Sequence, residues 1–312
     1  KKSSLNAIIY ELLKLMKSKG INLNILSKKE KMSLLHYCCI NGSKHLCEDI
    51  LSIEEVDVNL VNYLGKTPLH LACENGFVEI ADLLLKRKKI DINIKTIEDR
   101  TPLLSACESG SLEIFQKIMA KGDIVKYDLM GEISILQASC SSKNLELVKA
   151  AAAVSKQDFT YSTPTTLTPL SYVCSRGSLD VVKYLIEEQH VDYNQEKFVG
   201  QIPLNLACKN GQDEIAFYLF QLPKIIMTGE SLVLATSSHH INIIKKILSF
   251  DENKFPFVDF GLQALCVACK KGYVDIVELL VNSGKVELNP KSDKMGPLHY
   301  ACKYCTNSYS KA

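Results

Sequence analysis

The chain has 312 residues, of which 46% are hydrophobic and 23% charged, and a formal net charge of +2. That balance exerts no general pull on nucleic acid or an acidic surface, so neither is expected as a partner. No apolar run approaches the length of a membrane span, and the apolar stretch near the start is broken by Glu11 and Lys14, so neither membrane insertion nor a secretory leader is expected.

Residues 1–26 read as the end of a repeating unit. Ile8, Ile9, Leu12 and Leu13 make an apolar helical stripe. Ile21-Asn-Leu-Asn24 is then the first copy of a segment that returns as Asp57-Val-Asn59, Asp91-Ile-Asn93, Asp192-Tyr-Asn194 and Glu287-Leu-Asn289. Its alternating apolar residues predict a short extended arm that leads into a turn.

The unit is clearest at Gly65–Gly76, which reads GKTPLHLACENG. Thr67 is suited to cap a helix with its hydroxyl, and Pro68 fits the first helical position because its missing N–H costs nothing there. Leu69, Ala72 and Cys73 fall at i, i+3 and i+4 on one apolar stripe. Gly76 permits the sharp reversal that ends the helix. A second periodic run follows, so the unit predicts a helix, a tight turn and an antiparallel helix.

The cap position recurs at Ser33, Thr67, Thr101, Ser134, Thr168, Ile202, Glu230, Gln263 and Gly296, in steps of 33 or 34 except for one of 28. TPLH at Thr67–His70 has variants SLLH, TPLL, TPLS, IPLN and GPLH, and a period near 33 with this tetrapeptide is a specific repeat signature. The chain resembles the ankyrin-repeat family over about residues 8–305. The resemblance implies an all-α solenoid of stacked helix-turn-helix repeats with short β-hairpin or finger loops. The array is assigned to 27–305 with a partial last repeat, and 306–312 form a tail. Neither end has an obvious polar cap, so the segment is expected to be a monomeric piece of a longer polypeptide.

Second helices are expected at 44–52, 78–87, 112–120, 145–154, 179–188, 214–221, 241–250 and 274–282. Glu79, Glu113, Glu146, Asp180, Glu214 and Asp275 sit in their first turns, where the helix dipole favours negative charge. These acids belong to separate repeats and are read as structural. The step of 28 makes Leu222-Pro-Lys224 a tight link and removes most of a finger. The Ser/Thr-rich stretch 155–166 replaces another finger with a loop that offers a modification site.

Eight cysteines, Cys39, Cys73, Cys107, Cys140, Cys174, Cys208, Cys269 and Cys302, occupy one repeat position, and Thr236 fills it in the remaining copy. Equivalent residues on stacked helices stand about 8–10 Å apart, beyond the roughly 7 Å Cα reach of a disulfide. They are expected to be reduced, buried packers, which suits the cytosol, with the nucleus as the other choice. Cys266-x-x-Cys269 and Cys302-x-x-Cys305 have the spacing of a zinc site, but the repeat already explains Cys269 and Cys302. Gly65-Lys-Thr67 lacks the earlier glycine of a phosphate loop, Leu60 standing there. His36, His70 and His299 share the repeat's histidine position, read as structural. No catalytic residue, metal or cofactor is nominated, and the chain is not read as an enzyme.

In the family that the chain resembles, partners meet finger tips and the solvent side of first helices. Carried over copy by copy, this nominates Tyr63, Leu64, Lys66, Glu74 and Asn75, then Ile97, Glu98, Arg100, Glu108 and Ser109. Ser175 and Arg176 follow, then Phe198, Val199, Gln201, Lys209 and Asn210, and last Asp259, Phe260, Lys270 and Lys271. Tyr63, Leu64, Phe198, Val199 and Phe260 are the exposed-tip candidates. The expected function is a protein-recognition scaffold that holds a partner on its concave face, or a regulatory or targeting module of a larger enzyme or channel.

Overall fold

The computed structural model describes residues 8, 11–16, 18–122, 135–155, 159, 167–196, 201–251, 254–288 and 295–305. The chain forms two compact units, one of residues 1–158 with 163–166 and one of 159–162 with 167–312.

Among the described residues, unit 1 contains the helix pairs α1 (Leu34–Asn41) with α2 (Lys44–Leu51), α3 (Pro68–Glu74) with α4 (Val78–Leu85), α5 (Pro102–Ser109) with α6 (Leu112–Lys121), and α7 (Ile135–Ser141) with α8 (Leu145–Val154). First helices α1, α3, α5 and α7 stack in one row, and second helices α2, α4, α6 and α8 stack in another. The core fills the space between the rows with Leu69, Cys73, Leu84, Cys107, Ile114 and their counterparts, all fully buried. Small residues at the Ala–Cys positions let neighbouring first helices approach each other closely.

The helix starts follow from local chemistry. Ser33, Thr67 and Thr101 cap α1, α3 and α5, each hydroxyl accepting from the amide three residues on. In α1 and α3 the bond is reciprocal, because the imidazole of His36 or His70 accepts from the cap residue's own N–H. Ser134 lies outside the described residues. The reversal between paired helices needs a left-handed residue. Gly42, Gly76 and Gly110 supply it with φ of 64°, 67° and 79°, whereas Lys143 takes the same conformation at 62°.

Unit 2 contains α9 (Pro169–Arg176), α10 (Leu179–Lys183), α11 (Pro203–Lys209), α12 (Asp213–Leu219), α13 (Glu230–Ser237), α14 (Ile241–Leu248), α15 (Phe257–Lys271), α16 (Val274–Asn282) and α17 (Pro297–Cys305). Here α9, α11, α13, α15 and α17 form the first-helix row, and α10, α12, α14 and α16 the second. Thr168 caps α9, as its residue type suggested. Ile202 precedes α11 with no side-chain cap.

Three expectations need correction here. The helix assigned to 179–188 is α only to Lys183 and continues as a π-turn, Tyr184–Glu188. Tyr184, Leu185 and Ile186 are buried along this wider turn. The helix beginning at Glu230 has Gly229 as its N-cap, so Glu230 is helical. Gln263 caps nothing, because α15 is one continuous 15-residue helix that starts six residues earlier, at Phe257. Phe257, Gly261, Ala264, Leu265 and Ala268 give it a buried helical face, which overrides the finger that the 33-residue period places there.

Burial of the repeat cysteines is also graded. Cys39, Cys73, Cys107, Cys140, Cys174 and Cys208 are buried, but Cys269 is half-buried and Cys302 exposed. The same gradient appears at the TPLH leucine, 0% exposed at Leu69 and 77% at Leu298 on α17. No described cysteine is in a disulfide. Burial pushes the Cys73 and Cys174 thiols up, so they stay protonated.

Thr236 fills the cysteine position in α13, and among the described residues its buried hydroxyl finds no hydrogen-bond partner. An unsatisfied buried hydroxyl costs about 1–3 kcal/mol. Thr236→Val keeps the shape and removes the hydroxyl, so it is expected to raise the urea midpoint of unit 2, with a gain on the order of 1 kcal/mol. An unchanged or lowered midpoint would mean that the hydroxyl is satisfied.

Candidate functional site

The fingers of unit 1 are built from polar side chains at their bases. Asn62 Oδ1 accepts from the amides of Leu64 and Lys66, and the Asn62 amide donates to the Lys66 carbonyl. One repeat later, Thr96 Oγ1 accepts from Glu98 and Arg100. In the first finger Ser27 does the same for Met32. No strand is present among the described residues, so these fingers are closed turns. Single backbone bonds join them: Tyr63 N–H to the Glu30 carbonyl at 3.2 Å and Ile97 N–H to the Leu64 carbonyl at 3.1 Å. Gly65, at φ +73°, lies where an added Cβ would come within 3.1 Å of the next finger's backbone at Thr96 and Ile97.

Each finger is also tied to a helix before and after it. His36 Nε2 donates to the Lys66 carbonyl at 2.9 Å, and His70 Nε2 to the Arg100 carbonyl at 3.0 Å. Both imidazoles accept an amide proton at Nδ1, so both are neutral with the proton on Nε2. Burial pushes both pKa values down, that of His70 to about 4. In unit 2 the smaller Ser171 makes the equivalent link, its hydroxyl donating to the Gln201 carbonyl.

The charged candidates pair with one another. Lys66 Nζ lies 2.8 Å from Glu74 Oε1, joining the finger to its own first helix. Arg100 repeats the pattern with Glu108 and also holds Glu98 at 3.1 Å. Beside the exposed Glu98 and Asp99, the tips present apolar side chains: Tyr63 is 56% exposed and Ile97 71%, while Leu64 is half-buried. Asn75 is exposed, but its amide donates to the Leu71 carbonyl and finishes α3. The structure therefore brings Tyr63, Leu64, Lys66, Glu74, Glu98, Arg100 and Glu108 together on two adjoining repeats. Ile97, one 34-residue step after Tyr63 and nominated with the partner-facing residues, belongs with Tyr63 as a tip.

In unit 2 the candidates sit at successive first-helix ends. Arg176 is exposed and lies over the Tyr172 ring at 5.5 Å. The Asn210 amide donates to the Leu206 carbonyl, as Asn75 does in its helix. Lys209 is exposed, and its carbonyl accepts from His240. Lys270 lies over the Tyr304 ring at 5.1 Å, and Lys271 is exposed. Phe260 is not a finger tip. It is half-buried within α15 and packs against Gly229. Phe198 and Val199 lie outside the described residues, as do most of 155–166 and the Cys305 side chain. His239 pairs with Asp275 at 3.0 Å and meets the Tyr273 ring edge-on. Among the described residues no group of three or more His, Cys, Asp or Glu side chains is placed to hold a metal ion.

A second set of links lay hidden in the recurring Asp-x-Asn segment. Asp57 Oδ1 accepts from the Asn59 amide, and Asn59 then reaches the next repeat, donating to the Lys89 carbonyl and accepting from Asp91 N–H. Asn24 bridges to Glu55 and Asp57 in the same way, and Asn194 to Lys224 and Ile226. The segment is a turn plus an amide rung between repeats.

A family model described as ankyrin repeats (3 copies) matches residues 4–96, 35–130, 135–227 and 232–311. The chain belongs to the ankyrin-repeat family. Its fold is similar to the crystal structure of the human ASB11 ankyrin repeat domain, with a TM-score of 0.57 and 23% identity, over 69% of this chain and 98% of that one. No curated protein sequence matches the chain. Ankyrin repeats are protein-interaction modules, and their fold is a non-catalytic scaffold. No helix among the described residues of this ankyrin chain is long and apolar enough to cross a membrane.

Proposed function

We propose that the chain is a non-enzymatic protein-recognition scaffold that meets its partner on the fingertip side of unit 1. The observation that carries this reading is the pair of exposed tips, Tyr63 and Ile97, on adjoining fingers whose backbones are held and whose charges are already paired. Aromatic and aliphatic anchors in a polar surround are what a protein interface uses, and a pre-ordered surface loses little entropy on binding. The array 27–305 acts in this reading as a monomer. Its buried, protonated thiols suit a reducing compartment, the cytosol or nucleus.

The test is affinity capture from cell extract followed by mass spectrometry, comparing the parent with Tyr63→Asp/Ile97→Asp. Both tips are solvent-facing, so the variant is expected to keep its far-UV circular dichroism. Proteins held by the parent are expected to fall about tenfold or more with the variant, as loss of a central anchor does. Equal capture by both would place binding away from the fingers.

A further inference from the structure

We propose that the cleft beside the shortened finger of unit 2 is a second binding site, and that it takes an acidic segment of a partner protein built around one apolar side chain. This rests on reading the chain as a protein-recognition module, but it uses neither the fingertips nor unit 1.

The missing finger leaves loop 220–228 running directly from α12 to α13. Between that loop and the C-terminal end of α14 lies an open cleft of about 760 Å³. Its floor is aromatic. Phe220 is buried and meets Phe250 edge-on, with ring centroids 5.1 Å apart, and Leu222 adds to the apolar lining. Lys224, Lys246 and Lys254 line the same cleft, and among the described residues no acid does. Asp251 follows α14 but lies outside the lining.

The lysines are not spent on other partners. Elsewhere in this chain lysines pair with acids, as Lys44 does with Glu79 and Lys117 with Asp82. Among the described residues, none of the three cleft ammonium groups has such an ion pair. Two of them converge on one ring instead, Lys246 at 5.7 Å and Lys254 at 5.0 Å from the Phe250 centroid. The ring attracts each ammonium, and an incoming carboxylate would supply the opposite charge that both lack.

The mixture of carbon and charge selects the occupant. A free phosphate would use the lysines and leave the aromatic floor wet. A flat membrane surface would reach the exposed lysines but not the buried Phe220 below them. A peptide with carboxylates flanking one apolar side chain uses both, the apolar group seated on the half-exposed Phe250, which Phe220 backs from below, and the acids on the rim.

The test selects short random peptides displayed on phage against three versions of the whole chain: parent, Lys224→Glu/Lys246→Glu/Lys254→Glu, and Tyr63→Asp/Ile97→Asp. Acidic peptides with a central apolar residue are expected to be enriched on the parent and equally on the fingertip variant. Their enrichment is expected to fall about tenfold or more on the lysine variant. Should the triple variant fail to fold by circular dichroism, Lys224→Gln/Lys254→Gln, at two exposed positions, replaces it. Enrichment of neutral or basic peptides, survival of acidic ones on the lysine variant, or their loss on the fingertip variant would each overturn the proposal. So would lysine-dependent binding of inorganic phosphate or phosphatidylserine vesicles with no acidic peptide enriched. Failure of the fingertip variant to lose partners in extract would sink only the reading of unit 1.

Discussion

Acidification from pH 6.5 toward 4 is expected to destabilise unit 1, and His70→Gln is expected to flatten that loss. In the folded chain His70 is fully buried, neutral, and held between the Thr67 amide and the Arg100 carbonyl. Burial is the main cause that takes its pKa from 6.5 to about 4, with the nearby Lys66 and His36 adding to it. In the unfolded chain it titrates near 6.5. Between those values the unfolded state therefore binds more protons, and stability rises with pH. Its contribution is fully present above 6.5, declines as pH falls, and is gone near 4. Each pKa unit corresponds to about 1.4 kcal/mol, which makes the His70 effect on the order of 3 kcal/mol. His36 shifts in the same direction and adds to the slope.

The chain itself uses glutamine at this position, Gln137 in α7, so His70→Gln is a substitution that the repeat tolerates. Urea unfolding at a series of pH values, followed by far-UV circular dichroism because the chain has no tryptophan, gives the comparison. Parallel stability lines for parent and variant between pH 6 and 4.5 would contradict a buried neutral imidazole.

The second large effect is expected at Gly229→Ala. Gly229 has φ of −61°, an ordinary value, so backbone strain plays no part. The obstacle is Phe260 of α15: an added Cβ would stand 1.9 Å from its Cδ2 and 2.4 Å from its own Cβ. A ring can rotate away from a contact, but its Cβ moves only with the helix. Overpacking of this kind costs about 1–3 kcal/mol, and here the docking of α15 on α13 bears it. In a Phe260→Gly background, which removes both the ring and the Cβ, the same glycine change is expected to be nearly neutral, which gives a coupling of similar size in a double-mutant cycle. Equal costs in both backgrounds would mean that the two residues do not touch.

Much of this architecture is legible in single residues. Thr67 before Pro68, and the same pair at Thr101 and Thr168, mark helix starts because capping is a local bond whose partners are three residues apart. The failure at Gln263 has the opposite origin. The 33-residue period runs over a stretch whose own apolar spacing, Phe257, Gly261, Ala264, Leu265 and Ala268, is helical throughout. That period puts Phe260 at a tip, whereas the residue packs in a helix contact.

The surface candidates were legible as a set but not in their relations. Lys66 and Glu74 are eight residues apart, and nothing local shows that the finger folds back far enough to join them. The asparagine rungs span 30 or more residues, so Asp-x-Asn could be read as a turn but not as a bridge. The basic cleft follows from a deletion of about five residues, and sequence displays a deletion only as a shorter interval.

Those rungs carry a mechanical consequence. Asn24, Asn59 and Asn194 each fasten the base of one finger to the next, in line with the direction in which repeats stack within their unit. Tension along that direction would meet one rung at a time rather than all together. The chain would then lengthen in increments of a single repeat, roughly 110 Å for 33 residues drawn taut, and would pull out as a ratcheted spring rather than snap as a block.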